Sequence, residues 1–196
     1  MTSMTNSGEL FDRGLDFFGD AVAAMQPGDW DRLSPCDGWT ALDVLGHLGS
    51  SIQMGISLFR GEQPVWPQVE RPAELVAGDP AAFWKATATE ARSAMEGADL
   101  DLVMDTPMGP RTVADRLAFP AIDLFVHAWD LAQTQGRALE VPADLITFAR
   151  SYIDALPPEA VRSSGALGPV VEVGDDATAT ERFIGWTGRD PRSGHR

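Results

Sequence analysis

The stretch Leu117–Ala132 reads LAFPAIDLFVHAWDLA, and its reading decides the architecture. It is apolar nearly all round a helical wheel, so the helix it forms must be buried on most of its circumference. Its three polar exceptions, Asp123, His127 and Asp130, are spaced four and three apart and form one stripe along one face. Ile122, Val126 and Trp129 flank that stripe on one side, and Leu124, Ala128 and Leu131 on the other. The stripe therefore points into a bundle, or into a cleft opening from it. Two carboxylates and an imidazole placed there need partners, because isolated buried charge costs several kcal/mol or shifts its pKa until it is neutral. Lysine occurs once, at Lys85, and the nearest arginine on the stripe is Arg116 at the helix start. A divalent cation is the partner these residues favour.

Working outward, Thr112 with Asp115 opens this helix in a capping-box arrangement, and Gly136 bounds it. Three further long helices precede it. Leu10, Phe11, Leu15, Phe17, Phe18, Val22 and Met25 repeat at helical spacing from about Gly8, and Gln26-Pro27-Gly28 breaks the pattern. Thr40, with Asp43 three residues on, opens a second helix, whose apolar stripe runs through Leu45, Leu48, Ile52, Ile56 and Phe59 to Arg60-Gly61. Asp79-Pro80 starts a third, through Met95, with Gly97 beyond its end. Residues 61–78, with three prolines, read as a long surface loop, and residues 98–111 as a loop or short hairpin. Pro142 to about Leu156 reads as a weaker fifth helix, followed by a strand at Val170–Val173 and a short helix near Thr180–Trp186. Four long helices without βαβ alternation predict an all-α four-helix bundle over 1–140, with a C-terminal helix and short irregular extension over 141–196 packed on the same domain.

The second helix offers a further ligand. His47 lies in VLGHLGSS between Leu45 and Leu48, beside Gly46 and Gly49, small residues that allow close approach. An Asp/His pair at i, i+4 on one helix and a His on another can converge on one ion, giving His47, Asp123 and His127 as the candidate metal ligands. Two histidines and a carboxylate suit Zn²⁺, and also Fe²⁺ or Ni²⁺, and three ligands leave positions open for chemistry. Other readings of the same residues stand beside this one: a buried Asp123–His127 pair within one helix, and a satisfied core histidine at His47. Asp130 reads as an acceptor that orients a ligand imidazole. Cys36 reads as a small buried residue or a bystander, and His195 as part of the tail. The His-Glu-x-x-His pattern, a phosphate-cradling glycine loop, a dinucleotide fingerprint and a serine nucleophile elbow do not occur.

Composition narrows the partners. The 196 residues carry 29 Asp+Glu against 15 Lys+Arg, a net charge of −14, with three histidines and one cysteine. Such a chain repels phosphate backbones and anionic bilayers, so neither nucleic acid nor membrane is expected. No run approaches the roughly 18 apolar residues of a membrane span, and the N-terminus has no basic or apolar leader pattern. A lone cysteine excludes an intrachain disulfide and fits a reducing compartment, so a cytoplasmic location is expected.

Three blocks carry a resemblance: SPCDGWTALDVLGHL (Ser34–Leu48) after Trp30, DLFVHAWDLAQTQG (Asp123–Gly136) and ERFIGWTGRDP (Glu181–Pro191). In this order they resemble the DinB-like superfamily, specifically the mycothiol-dependent maleylpyruvate isomerase-like metal-binding domain, and the last block resembles a small subgroup of it. The resemblance implies a four-helix bundle with a metal held by one His on the second helix and an acid-x-x-x-His pair on the fourth, here His47, Asp123 and His127. The isomerase-type pattern has glutamate where this chain has the shorter Asp123, and the isomerase's full C-terminal extension is absent. The implied function is a metal-dependent S-transferase or isomerase, in which a thiol such as mycothiol attacks a small electrophile as a metal-bound thiolate. Asp130 would orient His127, and the 61–78 loop with Trp66 and the 105–111 segment with Arg111 would wall the pocket. Arg111 reads either as a partner for a substrate carboxylate or as a solvated loop arginine. The alternatives are a non-catalytic metal or small-molecule binding protein and a metal-dependent hydrolase. A low-molecular-weight thiol and a small electrophile are the expected partners, with a homodimer left open.

Overall fold

The computed structural model describes residues 6–107, 109–157, 161–162 and 167–192. Among them it contains six α-helices: α1 Ser7–Ala23, α2 Ala41–Phe59, α3 Pro80–Met95, α4 Val113–Thr134, α5 Ala143–Asp154 and α6 Ala179–Trp186. Side chains set most of the starts. Asn6, Thr40, Asp79, Thr112 and Thr178 each accept a hydrogen bond from the backbone N–H three residues on, and Glu9, Asp43 and Glu181 complete capping boxes. Between α3 and α4, Val103–Met104 (β1) and Arg111–Thr112 (β2) form a two-stranded antiparallel hairpin, with Val103 opposite Thr112 and Met104 opposite Arg111.

Helices α1 to α4 form a four-helix bundle in which α1 packs on α4 and α3, and α2 packs on the same two neighbours. Helices α1 and α2 thus occupy opposite corners, and α4 lies between them. Phe11, Leu15, Phe18, Leu45, Leu48, Ile52, Leu117, Leu124 and Phe125 fill the interior almost without exposure. Leu145, Ile153, Phe183 and Ile184 bring α5 and α6 into the same continuous core. Among the described residues no helix is long and apolar enough to cross a membrane.

The expected strand at Val170–Val173 is absent; the segment runs without a ladder. Its Val171 N–H donates instead to the Gly185 carbonyl at 2.9 Å, so it is held by the end of α6 and has no partner strand. Residues 72–75 of the long loop form a 3₁₀ turn seated on α2, where a Cβ on Gly46 would lie 1.9 Å from the Pro72 carbonyl oxygen. Asp43, fully buried, fastens the same turn: it accepts from Ala73 N–H at 3.2 Å and pairs with Arg71.

Candidate metal centre

Two i, i+3/i+4 steps along α4 bring Asp123, His127 and Asp130 to one face, and His47 approaches from α2. The ligating atoms of His47, Asp123 and His127 all lie within 4.8 Å of one another. His47 Nε2 stands 3.7 Å from Asp123 Oδ2, and the two imidazole centroids are 5.0 Å apart. His127 Nδ1 is 2.8 Å from Asp130 Oδ2, which leaves Nε2 as its available lone pair.

A second group, Cys36, His127 and Asp130, is equally close-knit. Cys36 Sγ donates to Asp130 Oδ2 at 3.2 Å and lies 3.9 Å from His127 Nδ1. This corrects the bystander reading of Cys36. A tight turn places it: Ser34 N–H donates to the Trp39 carbonyl, Trp39 N–H donates to the Cys36 carbonyl, and Gly38 takes a positive φ of 75°.

The partner of the buried stripe is also an arginine that sequence reasoning missed. Arg189 Nε donates to Asp130 Oδ1 at 2.8 Å, its Nη2 donates to Oδ2 at 2.9 Å, and Nη2 lies 3.4 Å from Cys36 Sγ. Arg189 follows Gly188, whose φ is 99° and whose missing Cβ would meet Gly168 Cα at 2.5 Å, so the chain crosses itself where only glycine fits. The one signal available in sequence was that buried Asp130 needed a cation; nothing local said that residue 189 would supply it.

The electrostatics follow from these contacts. Burial pushes the Asp130 carboxyl up, but the Arg189 charge and the His127 hydrogen bond reverse this and hold it well below the usual carboxylate range. Burial pushes His127 below the ordinary imidazole value, against the pull of Asp130, so it is neutral near pH 7 and fit to ligate. Asp123, raised by burial, is lowered more by His47, His127 and Arg189, so it is ionised. Burial, reinforced by Asp130, pushes the Cys36 thiol far up and keeps it protonated.

Two imidazoles and one carboxylate, with the His127 ring oriented through its Nδ1, suit a divalent cation. In the Cys36 group the carboxylate is already paired with the Arg189 guanidinium and accepts from the thiol. Trp66 stands on the cavity wall beside the cluster, its ring nearly parallel to His47 at 6.0 Å and 9°, and Trp39 lies 5.0 Å from His47 on its own side. Arg111 does not join them. It sits on β2, before the start of α4, whose first residue Val113 is already about 15 Å along the helix from Asp123 by its rise, and it is not among the residues lining the cavity. The expectation that it meets a substrate carboxylate there is corrected accordingly. His195 lies outside the described residues.

The family described as "Mycothiol maleylpyruvate isomerase N-terminal domain" matches residues 11–132, which include His47, Asp123, His127 and Asp130. Two proteins of Mycobacterium tuberculosis, both described as uncharacterized, from strains CDC 1551 and H37Rv, are 28% identical over 134 residues, covering 68% of this chain and 69% of each relative. Crystal structures of the mycothiol-dependent maleylpyruvate isomerase and of a histidine-to-alanine mutant of it superpose with a TM-score of 0.60, at 16% and 14% identity. They cover 72% of this chain, which spans 65% of theirs, and at this identity the likeness establishes the fold.

Proposed function

The chain belongs to the mycothiol maleylpyruvate isomerase N-terminal domain family, and from that premise and the histidine–carboxylate cluster we propose that it is a metal-dependent enzyme joining a mycothiol-type thiol to a small electrophile, by transfer or by isomerisation. The observation that carries this reading is the meeting of His47, Asp123 and His127 within 4.8 Å, with His127 Nδ1 already engaged by Asp130.

His47, Asp123 and His127 would hold the cation, most simply Zn²⁺, with Ni²⁺ or Fe²⁺ compatible with the same donors. When bound, it supplies the positive charge that lowers a thiol's pKa toward neutrality. The chain's own groups do the rest. Asp130 accepts the Nδ1 proton of His127, which fixes its tautomer and aims Nε2 at the cluster. Arg189 keeps Asp130 ionised and immobile. Trp39 and Trp66 both stand against His47 and line the cavity before it.

The test uses untagged protein. Elemental analysis should find about one divalent ion per chain, and mycothiol with a bimane electrophile should yield conjugate. Both should be lost in the His47→Ala, His127→Ala variant. A wild-type protein with neither stoichiometric metal nor thiol binding would sink the proposal; metal without conjugate over a broad panel would point to a binding protein, and ester cleavage without thiol to a hydrolase.

A further inference from the structure

The cavity before the cluster encloses about 790 Å³, within the range of small-molecule sites. Its wall is mainly apolar and aromatic: Trp39, Met54, Trp66, Phe119, Val126 and Leu167 reach it from five separate segments. Trp66 keeps 47% of its surface exposed and lies nearly parallel to His47 on the cavity wall, so much of its side chain stays uncovered.

Apart from the histidines, the ionisable side chains with a formal charge on this wall are, among the described residues, Asp37, Asp123 and Arg189. Arg189 is committed. Its Nε and Nη2 donate to Asp130, and Nη1 is 3.4 Å from Thr187 Oγ1. A ligand carboxylate would find Nε and Nη2 already held by Asp130, whose side chain has no exposure, and could meet Arg189 only at its Nη1 edge beside Thr187. Asp37, in a chain of net charge −14, further opposes an anion.

We propose that the electrophile taken by this cavity is an uncharged, flat, apolar molecule, an aromatic or conjugated ring seated against Trp66 and Phe119, and not a carboxylate-bearing one. This rests on the thiol chemistry proposed above for the same site. With a benzylic chloride the step balances: the thiol sulfur bonds to the benzylic carbon, the carbon–chlorine bond breaks with its electron pair leaving as chloride, and the thiol proton passes to solvent.

Binding and turnover are measured separately. Calorimetry on metal-loaded protein saturated with mycothiol compares naphthalenemethanol with naphthoate, one ring system with a neutral or an anionic substituent. The neutral ring should bind at least about ten-fold more tightly, and Trp66→Ala, a change on an exposed loop, should remove most of that advantage. Naphthoate binding as well or better, absence of binding by both, or an unchanged preference in Trp66→Ala would each overturn the assignment. Conjugation of mycothiol is then compared between para-nitrobenzyl chloride and para-(chloromethyl)benzoate. Faster reaction of the carboxylated chloride overturns the ligand class alone. Absence of any conjugate, with the neutral preference in binding intact, overturns the thiol-transfer reading and leaves the ligand class standing.

Discussion

Asp130 is the residue on which the site turns. It has no exposed side-chain surface, and it takes a hydrogen bond from His127, three from Arg189 and one from the Cys36 thiol. Asp130→Asn keeps the shape but removes the charge that balances Arg189 and fixes the His127 tautomer. The expected outcome is a 10- to 100-fold loss of Zn²⁺ affinity in chelator competition, about the usual effect of losing such a partner. Unchanged affinity would mean that His127 is not a ligand. The 4-and-3 spacing of Asp123, His127 and Asp130 made their shared face legible in the sequence, and the small residues round His47 marked where α2 could approach. Arg189 and Cys36 were not legible, because each reaches the stripe across more than fifty residues of chain and neither contact leaves a periodic trace. Arg111 misled for the opposite reason: it lies near the stripe in sequence, but the helix rise carries it away.

At the scale of elements, the N-terminal turn of α2 and the 3₁₀ turn of the long loop form one joint. Gly46 touches the Pro72 carbonyl closely enough that a methyl group cannot be added without moving that turn. Gly46→Ala should therefore destabilise by about 1–3 kcal/mol in urea unfolding, the ordinary range for overpacking. A neutral or stabilising result would show that the loop is free to shift. Asp43 is the polar half of the joint. Burial raises its carboxyl, but the N–H groups and hydroxyl of Thr40, with Arg71 and Ala73, lower it further, so its net shift is downward. A depressed native pKa means that its stabilisation is present above the unfolded value, about 3.9, and fades as pH falls through the native one. Asp43→Asn should accordingly be less stable than wild type at pH 7, with the gap narrowing below about pH 4. A gap constant with pH would remove Asp43 from the account. The caps that start the helices were readable from Thr40, Asp79 and Thr112. The loop's seat on Gly46 was not, since a glycine beside a histidine marks room for a neighbour without naming it.

At the scale of the whole molecule, the centre is not complete within the family-matched region. Residues 11–132 supply the two histidines and the carboxylates, while Arg189 arrives from beyond them after the Gly168–Gly188 crossing. Because Arg189 occupies Asp130, the ion proposed above is assigned to His47, Asp123 and His127 and not to the Cys36 group that shares His127. Cobalt(II) titration of the untagged protein reads this choice directly. The account predicts uptake of about one equivalent with weak d–d absorption, no sulfur-to-cobalt charge-transfer band from the protein alone, and the appearance of that band when a low-molecular-weight thiol is added. A charge-transfer band before any thiol is added, abolished by Cys36→Ser, or no stoichiometric uptake at all, would contradict it.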